Sequence, residues 1–479
     1  MNCARRKDVD MPDAENYDVL IIGSGEAGKY LAWTMGTAGR RTAVIERKLI
    51  GGSCPNIACL PSKNVIHSAK VASFAHRGNE FGLKTDSLQI DMASVQRRKR
   101  NMVQDLINIH LDRYQSSGTE LIMGTARFVA PRTVEVSLNQ GGTRLISGER
   151  VFLNLGTRAA MPDVPGLLAS QPLTHVEALD LDRLPDHLIV LGGGYVGLEL
   201  AQAIRRFGAR VTVIEKGAQL ASREDADVGG ALLDLFQTEG IDVLLKTRLL
   251  SVEGRSGQHI KVAVEDESGV RTLKGSDLLV ATGRVPNTDG IGLEQCGIKL
   301  TPQGFVEVNE RLQTTAPNVW AMGDCAGSPF FTHVAFDDFR IVRDNLSGGN
   351  RTNRDRLVPF CIFTDPELAR IGLNETEAKA KAIDYRLVRI PMSSVLRMRT
   401  LSELRGFIKL LIAAETDQIL GLTVFGTDAS EILAVVQTAM LGGLPYTTLR
   451  DAIFTHPTPA EGLTVLLANV PAKRARKAA

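Results

Sequence analysis

Residues 17–46 read YDVLIIGSGEAGKYLAWTMGTAGRRTAVIE, and residues 186–215 read DHLIVLGGGYVGLELAQAIRRFGARVTVIE. The two stretches align without a gap at a separation of 169 residues. Each opens on a short, β-rich apolar run that reaches a glycine loop, continues as an amphipathic helical pattern, and returns to an apolar strand ending in glutamate. The loop is G-x-G-x-x-G in both copies: Gly23, Gly25 and Gly28, then Gly192, Gly194 and Gly197. In such a loop the first glycine makes the tight turn and the second lets a pyrophosphate approach the backbone. The third permits close helix–strand packing, and the helix N-terminus favours negative charge. One such loop is a weak indicator, because glycine-rich turns are common. Two complete strand–loop–helix–strand–Glu units in register are a strong one, and they predict an α/β chain that binds two dinucleotides.

Glu46 and Glu215 end the second strand of each unit, placed to accept hydrogen bonds from adenosine ribose hydroxyls. A carboxylate there bonds the free 2′-hydroxyl of NAD and repels the 2′-phosphate of NADP. Beside Glu215 stands one lysine, Lys216, and no arginine cluster. NADH is therefore favoured over NADPH. Two dinucleotides in one chain suggest electrons passed from one to the other.

Beyond the repeat, NLGTRAAMPDVPG (154–166) and ATGRVPNTDG (281–290) read as strand-to-turn segments where the chain enters and leaves the second unit. VWAMGDCAG (319–327) is a further apolar strand ending in Gly-Asp. Past about residue 355 the texture changes to strands such as RGFIKLLIA and ILGLTVFG and a helix-like SEILAVVQTAML, an α+β pattern without a nucleotide loop.

Composition sets bounds on the rest. A chain of 479 residues exceeds one ordinary core, and 44% hydrophobic with 23% charged residues describes a globular protein. A net charge of +2 gives no electrostatic case for nucleic acid or membrane as a partner. The basic cluster Lys473 to Lys477 lies in a terminal tail, read as solvated. The N-terminal stretch is polar and lacks the apolar core of a secretory signal, and no apolar run approaches the roughly 18–20 residues of a membrane span. A cytoplasmic protein is expected, a setting in which cysteine pairs are usually catalytic or redox-sensing.

Cys54 and Cys59, in GGSCPNIACLPSK (51–63), are five residues apart. A structural staple, a metal clip and a working redox pair are the options. Zinc normally takes four ligands, and only one pair stands here, with His67 the nearest histidine. In a regular α-helix the two Cα atoms would be about 8.6 Å apart, beyond the roughly 7 Å that a disulfide tolerates. If the pair closes, the segment is not a regular helix throughout. Pro55 and the preceding glycines fit a distorted helix start, and a helix N-terminus stabilises the reactive thiolate. The pair reads as redox-active. Cys3 is read as a tail thiol, and Cys296, Cys325 and Cys361 as small core hydrophobes.

Along nearly its whole length the chain resembles the flavin-dependent pyridine nucleotide–disulfide oxidoreductases, among them dihydrolipoamide dehydrogenase, glutathione reductase and mercuric reductase. GGSCPNIACLPSK is similar to that family's redox-disulfide signature, MGDCAG to its second FAD motif, and FTHPTPAEG (454–462) to its H-P-x-x-x-E element. The resemblance implies two Rossmann-like domains, for FAD and NAD(P)H, and a C-terminal α+β dimerisation domain. The expected boundaries are 1–155 and 285–354 for the two parts of the FAD domain and 156–284 for the NAD(P)H domain. Residues 355–470 would form the dimerisation domain and 471–479 a basic, disordered tail.

It further implies a Cys54–Cys59 disulfide, with Cys59 facing the flavin and Cys54 exchanging with substrate. Lys63 would lie near the flavin and pair with Glu199, Tyr195 would gate the nicotinamide site, and Asp324 would bond the flavin's ribityl chain. His456, oriented by Glu461, would be the acid/base that reaches Cys54 across a homodimer. Gly52, Ser53, Gly156, Thr157, Gly283 and Gly323 would complete the cofactor contacts. No resident metal is expected, and the electron acceptor is a small molecule.

Within the family, SSVLRMRTLSELRGFIKLLI is similar to mercuric reductases. FTHVAFDDFRIVRDNL and LRDAIFTHP are similar to the reactive-chlorine-resistance flavoprotein branch, which is associated with copper(II) reduction. The chain ends NVPAKRARKAA, without the C-terminal cysteine pair of mercuric reductases, and has no N-terminal C-x-x-C domain, so efficient mercuric reduction is not expected. Dihydrolipoamide dehydrogenase and a low-turnover redox-sensing flavoprotein are the alternatives. The His456–Glu461 pair favours an enzyme, because a sensor has no need of an intersubunit proton shuttle.

Overall fold

The computed structural model describes residues 14–84 and 88–473. Cys3 and residues 474–479 of the basic tail lie outside the described residues. The chain falls into two compact units, one of residues up to 61 with 100–158 and 284–355, the other of 62–99, 159–283 and 356 onward.

The first unit is built on β1 (Glu15–Ile22), α1 (Glu26–Thr37) and β2 (Thr42–Glu46). β1 runs parallel to β2, with Ile22 opposite Ile45, and parallel on its other side to the strand Thr143–Leu153, with Ile22 opposite Leu153. Strand Val319–Ala321 extends the parallel set, strand Glu120–Ala130 joins parallel to β2, and the antiparallel strand Thr133–Leu138 completes a six-stranded sheet. The apolar run in β1 is unbroken because both faces are covered. Leu20 and Ile22 join one core with Ile45 and Phe128, while Val19 and Ile21 join another with Leu31, Phe152 and Trp320. Helix Thr332–Leu346 packs on α1 through Phe336, whose ring lies 4.7 Å from that of Tyr30.

The second unit repeats the motif. Strand His187–Leu191, helix Tyr195–Arg206 and strand Arg210–Ile214 belong to a four-stranded parallel sheet, flanked by Asp277–Val280 and Asp242–Leu244. Three antiparallel strands between Arg248 and Gly275 follow. A five-stranded antiparallel sheet carries the C-terminal part, with Phe407–Ala413 and Ile419–Gly426 near its middle. Ile408, Leu410, Leu422 and Val424 pack beneath helices Ala429–Leu441 and Gly462–Ala468, while Phe407 and Phe425 face the core shared with the nucleotide motif. Among the described residues no helix is long and apolar enough to cross a membrane.

Candidate active site

Corresponding atoms fix both glycine loops. The Gly23 N–H donates to Ile45 O at 2.8 Å, and 169 residues later the Gly192 N–H donates to Ile214 O at 2.8 Å. Gly23 has φ +98° and Gly192 φ +106°, and a Cβ on either would stand 2.3 or 2.5 Å from a carbonyl oxygen, of Asn154 or Ala281. Only glycine fits there. A Cβ on Gly28 would meet Gly23 O at 2.4 Å, and one on Gly197 would meet Gly192 O at 2.1 Å, so helix and strand close to backbone contact. Gly25 and Gly194 are the N-caps of their helices, and neither helix has a side-chain cap. First-turn amides at an uncapped helix start suit a pyrophosphate. The space around Gly194 is open: a Cβ there would meet nothing beyond its chain neighbours within 4 Å.

The two glutamates differ in what they have left to offer. Glu46 is buried, and its carboxylate accepts from Ser24 N at 2.9 Å, Ser24 Oγ at 2.7 Å, Lys48 N at 2.8 Å and Leu49 N at 2.9 Å. Those bonds fill its roughly four acceptor positions, so its first task is to hold the loop closed. Glu215 accepts only Gly193 N at 2.7 Å and Gly217 N at 2.6 Å, and is half-exposed. It keeps acceptor capacity for ribose hydroxyls.

The cysteine segment is broken where a closing pair requires it. α2 (Ser53–Ile57) starts from Gly52, and α3 (Cys59–His76) follows after Ala58, whose φ −132° and ψ −104° are not helical. Cys59 is therefore the first residue of an 18-residue helix, where the dipole favours a thiolate. A Cβ on Gly52 would stand 2.5 Å from the Gly25 Cα, so the segment rests main chain to main chain on the first glycine loop. The pair stands as the dithiol: Cys54 hydrogen-bonds to Cys59, and Cys59 Sγ lies 3.2 Å from Thr332 Oγ1. The Cys59 sulfur, and then burial, hold the Cys54 thiol above its ordinary range, while Thr332 pulls the other way.

Also in the first unit, Asp324 Oδ2 accepts from Thr157 Oγ1 at 2.6 Å, and Arg284 Nε donates to Thr157 Oγ1 at 2.7 Å. Burial raises the Asp324 carboxyl despite these partners. The Gly156 carbonyl accepts from Asn287 N, and Gly323 N donates to Asp338 at 2.7 Å.

In the second unit, Lys63 Nζ lies 2.7 Å from Glu199 Oε2, and Glu199 Oε1 accepts Phe363 N at 2.9 Å. Lys63 also sits 4.6 Å over the Phe363 ring. Tyr195, the first residue of its helix, is exposed, and the Gly283 carbonyl accepts from Ala160 N. His456 Nδ1 lies 2.9 Å from both carboxylate oxygens of Glu461, with the imidazole 60% exposed. Since an ionised carboxylate can only accept, Nδ1 carries the proton of this contact, and Nε2 has no part in it.

Several participants had no signal in the sequence. Thr332 is 273 residues from Cys59. Asn154 donates to Met322 O and accepts Gly28 N, tying two segments of the first loop's floor together. Cys296 and Cys325 are buried, but Cys361 is half-buried, because its strand Phe360–Ile362 forms the edge of its sheet. Cys361 nonetheless packs against the C-terminal core.

Comparison with known proteins follows this geometry. The family model described as pyridine nucleotide-disulphide oxidoreductase matches residues 17–338, and that for the family's dimerisation domain matches residues 358–466. The chain is 35% identical over 460 residues to the probable pyridine nucleotide-disulfide oxidoreductase RclA of Escherichia coli (strain K12), covering 95% of this chain and 99% of that one. It is 33% identical over 450 residues to a mercuric reductase of Streptomyces lividans, covering 93% and 94%. The solved Cu(II) complex of the HOCl-induced flavoprotein disulfide reductase RclA from Escherichia coli matches with a TM-score of 0.86 at 34% identity, over 95% of this chain and 99% of that one.

Proposed function

The chain belongs to the pyridine nucleotide-disulphide oxidoreductases, FAD-dependent enzymes with NAD(P)H as donor, and from that premise we propose that it is an NADH-dependent reductase. Its electrons leave through Cys54 and Cys59 to a disulfide, a soft metal ion or another thiol-reactive or quinone acceptor. The observation that carries this reading is the hydrogen-bonded thiol pair whose segment rests on the first glycine loop.

The first loop, with Gly23, Gly25, Gly28, Glu46, Gly52, Ser53, Gly156, Thr157, Gly323 and Asp324, would hold FAD. The second, with Gly192, Gly194, Tyr195, Gly197, Glu215 and Gly283, would hold NADH. When bound, these groups supply hydride transfer from nicotinamide to flavin and an electron pair for the cysteines. The chain supplies the thiol and proton chemistry. Cys54, deprotonated by His456, attacks a substrate disulfide; the S–S bond breaks and the leaving thiolate takes the proton from His456. Cys59 thiolate then attacks Cys54 Sγ, which closes the protein disulfide and expels the second substrate half as a thiolate that takes its proton from solvent. Lys63 and Glu199 place a fixed ammonium on the helix that begins at Cys59. Thiolates also select soft metal ions, and a relative was solved with Cu(II).

His456 is exposed in the single chain, and apolar Ile453, three residues away, is fully exposed with Leu441 and Leu444 nearby in sequence. A second copy covering this face, with His456 of one protomer serving Cys54 of the other, accounts for both. We place the dimer in the cytoplasm, with residues 355–470 as its dimerisation domain.

An NADH-oxidation panel with lipoamide, glutathione disulfide, Hg(II), Cu(II) and quinones tests the function; no acceptor above the oxygen background would sink the reductase reading. Glycine variants test the assignment of the loops. Gly23→Ala should purify colourless. Gly192→Ala should purify yellow yet be reduced by NADH at least about 10-fold more slowly. On the donor side, Glu215→Arg should shift preference toward NADPH, and equal rates of the unmodified enzyme with both donors would overturn the NADH assignment.

A further inference from the structure

Lys409 is a lysine with no solvent exposure, in the middle of strand Phe407–Ala413, and no step of the thiol chemistry uses it. Its ammonium lies 2.8 Å from Asp225 Oδ2, 2.8 Å from Asp227 Oδ1 and 3.2 Å from Glu375 Oε1. A buried ammonium is tolerated only when paired and hydrogen-bonded; here one partner, Asp225, is buried with it, while Asp227 and Glu375 are partly exposed.

Asp225 is unusual among these partners. It is the N-cap of helix Ala226–Thr238, yet its side chain makes no bond to that helix. Instead its carboxylate accepts Glu375 N at 3.1 Å, Thr376 N at 2.9 Å and Thr376 Oγ1 at 2.7 Å, capping the helix Glu375–Ala380. Next to it, Glu224 Oε2 lies 3.0 Å from Arg370 Nε, and Asn374 Nδ2 donates to Arg223 O at 3.1 Å. Residues 223–227 are thus fastened to the C-terminal sheet at several points.

The fastened segment ends the loop that begins at Glu215. That loop is stitched back to the nucleotide motif: Ala221 N donates to Gly193 O at 2.9 Å, Gly217 N to Glu215 Oε1 at 2.6 Å, and Glu224 N to Ala221 O at 2.8 Å. Glu215 in turn holds Gly193 N. A continuous set of bonds runs from Lys409 through Asp225 and Glu224 to Ala221, Gly193 and Glu215.

We propose that Lys409 is a positioning residue for the second dinucleotide: it anchors residues 216–225 to the C-terminal sheet and so holds Glu215 and the Gly192–Gly194 turn in their binding geometry. The inference rests on the reading of the Gly192 loop as the NADH site. Without the ammonium, buried Asp225 loses its cation and faces the partly exposed Asp227 and Glu375 as like charges, and the strain falls on this loop.

The test uses the FAD-loaded enzyme with wild type, Lys409→Met, Lys409→Arg, the milder Asp227→Asn, and Gly192→Ala as a check on the underlying reading. Lys409→Met should raise KM for NADH about 10-fold, with kcat and the acceptor KM within about twofold, and Asp227→Asn should move the same way by less. Lys409→Arg should recover part of the loss. Trypsin should cut faster after Arg223 in the Met variant than in wild type. If Lys409→Met does not fold, Asp227→Asn and the arginine variant carry the measurement. An unchanged NADH KM in every foldable variant, or equal rises in the KM values of NADH and acceptor, would overturn the proposal. Normal NADH kinetics in Gly192→Ala would instead overturn the assignment of the site.

Discussion

Cys59→Ser is expected to abolish the long-wavelength absorption that anaerobic NADH induces in the wild-type protein, and to lower acceptor turnover at least about 10³-fold. Cys54→Ser should lose turnover as completely but keep, or strengthen, the absorption. The asymmetry follows from where the proton sits. Cys54 hydrogen-bonds to Cys59 and is held above the usual thiol range by that contact and by burial. Cys59 begins an 18-residue helix and has the Thr332 hydroxyl 3.2 Å from its sulfur. The hydroxyl also eases charge on Cys54, so the dipole of the long helix is what favours Cys59. Removing Cys54 leaves Cys59 at its helix start; removing Cys59 removes the sulfur that stands at the start of the 18-residue helix. Anaerobic titration with NADH in a spectrophotometer reads the difference directly. Loss of the absorption in both variants, or its survival in Cys59→Ser, would reverse the roles assigned to the two sulfurs.

His456→Ala should slow the acceptor half-reaction on the order of 10²–10⁴-fold, the usual weight of a positioned acid–base group. Reduction of the enzyme by NADH should stay within about twofold of wild type. The split arises because the imidazole's Nδ1 is committed to Glu461 at 2.9 Å, leaving Nε2 to exchange protons with a thiol. Glu461→Gln should cost less, since an amide oxygen can still accept from Nδ1 while the charge that stabilises the imidazolium is gone. Stopped-flow measurement of the two half-reactions separates these effects. Equal slowing of both would mean that His456 supports structure rather than proton transfer.

What sequence could reveal followed from local periodicity. Both nucleotide motifs announce themselves because strand, loop, helix and strand are contiguous, so Gly23 and Gly192 need no distant information. The need for a break between Cys54 and Cys59 followed from helix geometry alone. Its place at Ala58 did not, since alanine has no conformational signature of a break. Contacts made across long separations were silent. Thr332 reaches Cys59 over 273 residues, and Asp225, which local rules assign to its own helix, caps another about 150 residues away. Glu46 and Glu215 look identical in sequence, and only the surrounding amides distinguish a saturated carboxylate from one with capacity to spare.

The contact between Gly52 and Gly25 has an evolutionary consequence. Gly52 rests on Gly25 main chain to main chain and Gly51 N donates to Ser24 Oγ at 2.9 Å, so the spacing of the thiol segment from that loop depends on few side chains. Under the proposed function, residues around the acceptor side of the pair can be exchanged, and a new electron acceptor acquired, without moving the cysteines relative to that loop. On that reading, a lineage built on this seat can diversify its substrates while the seat itself is inherited unchanged.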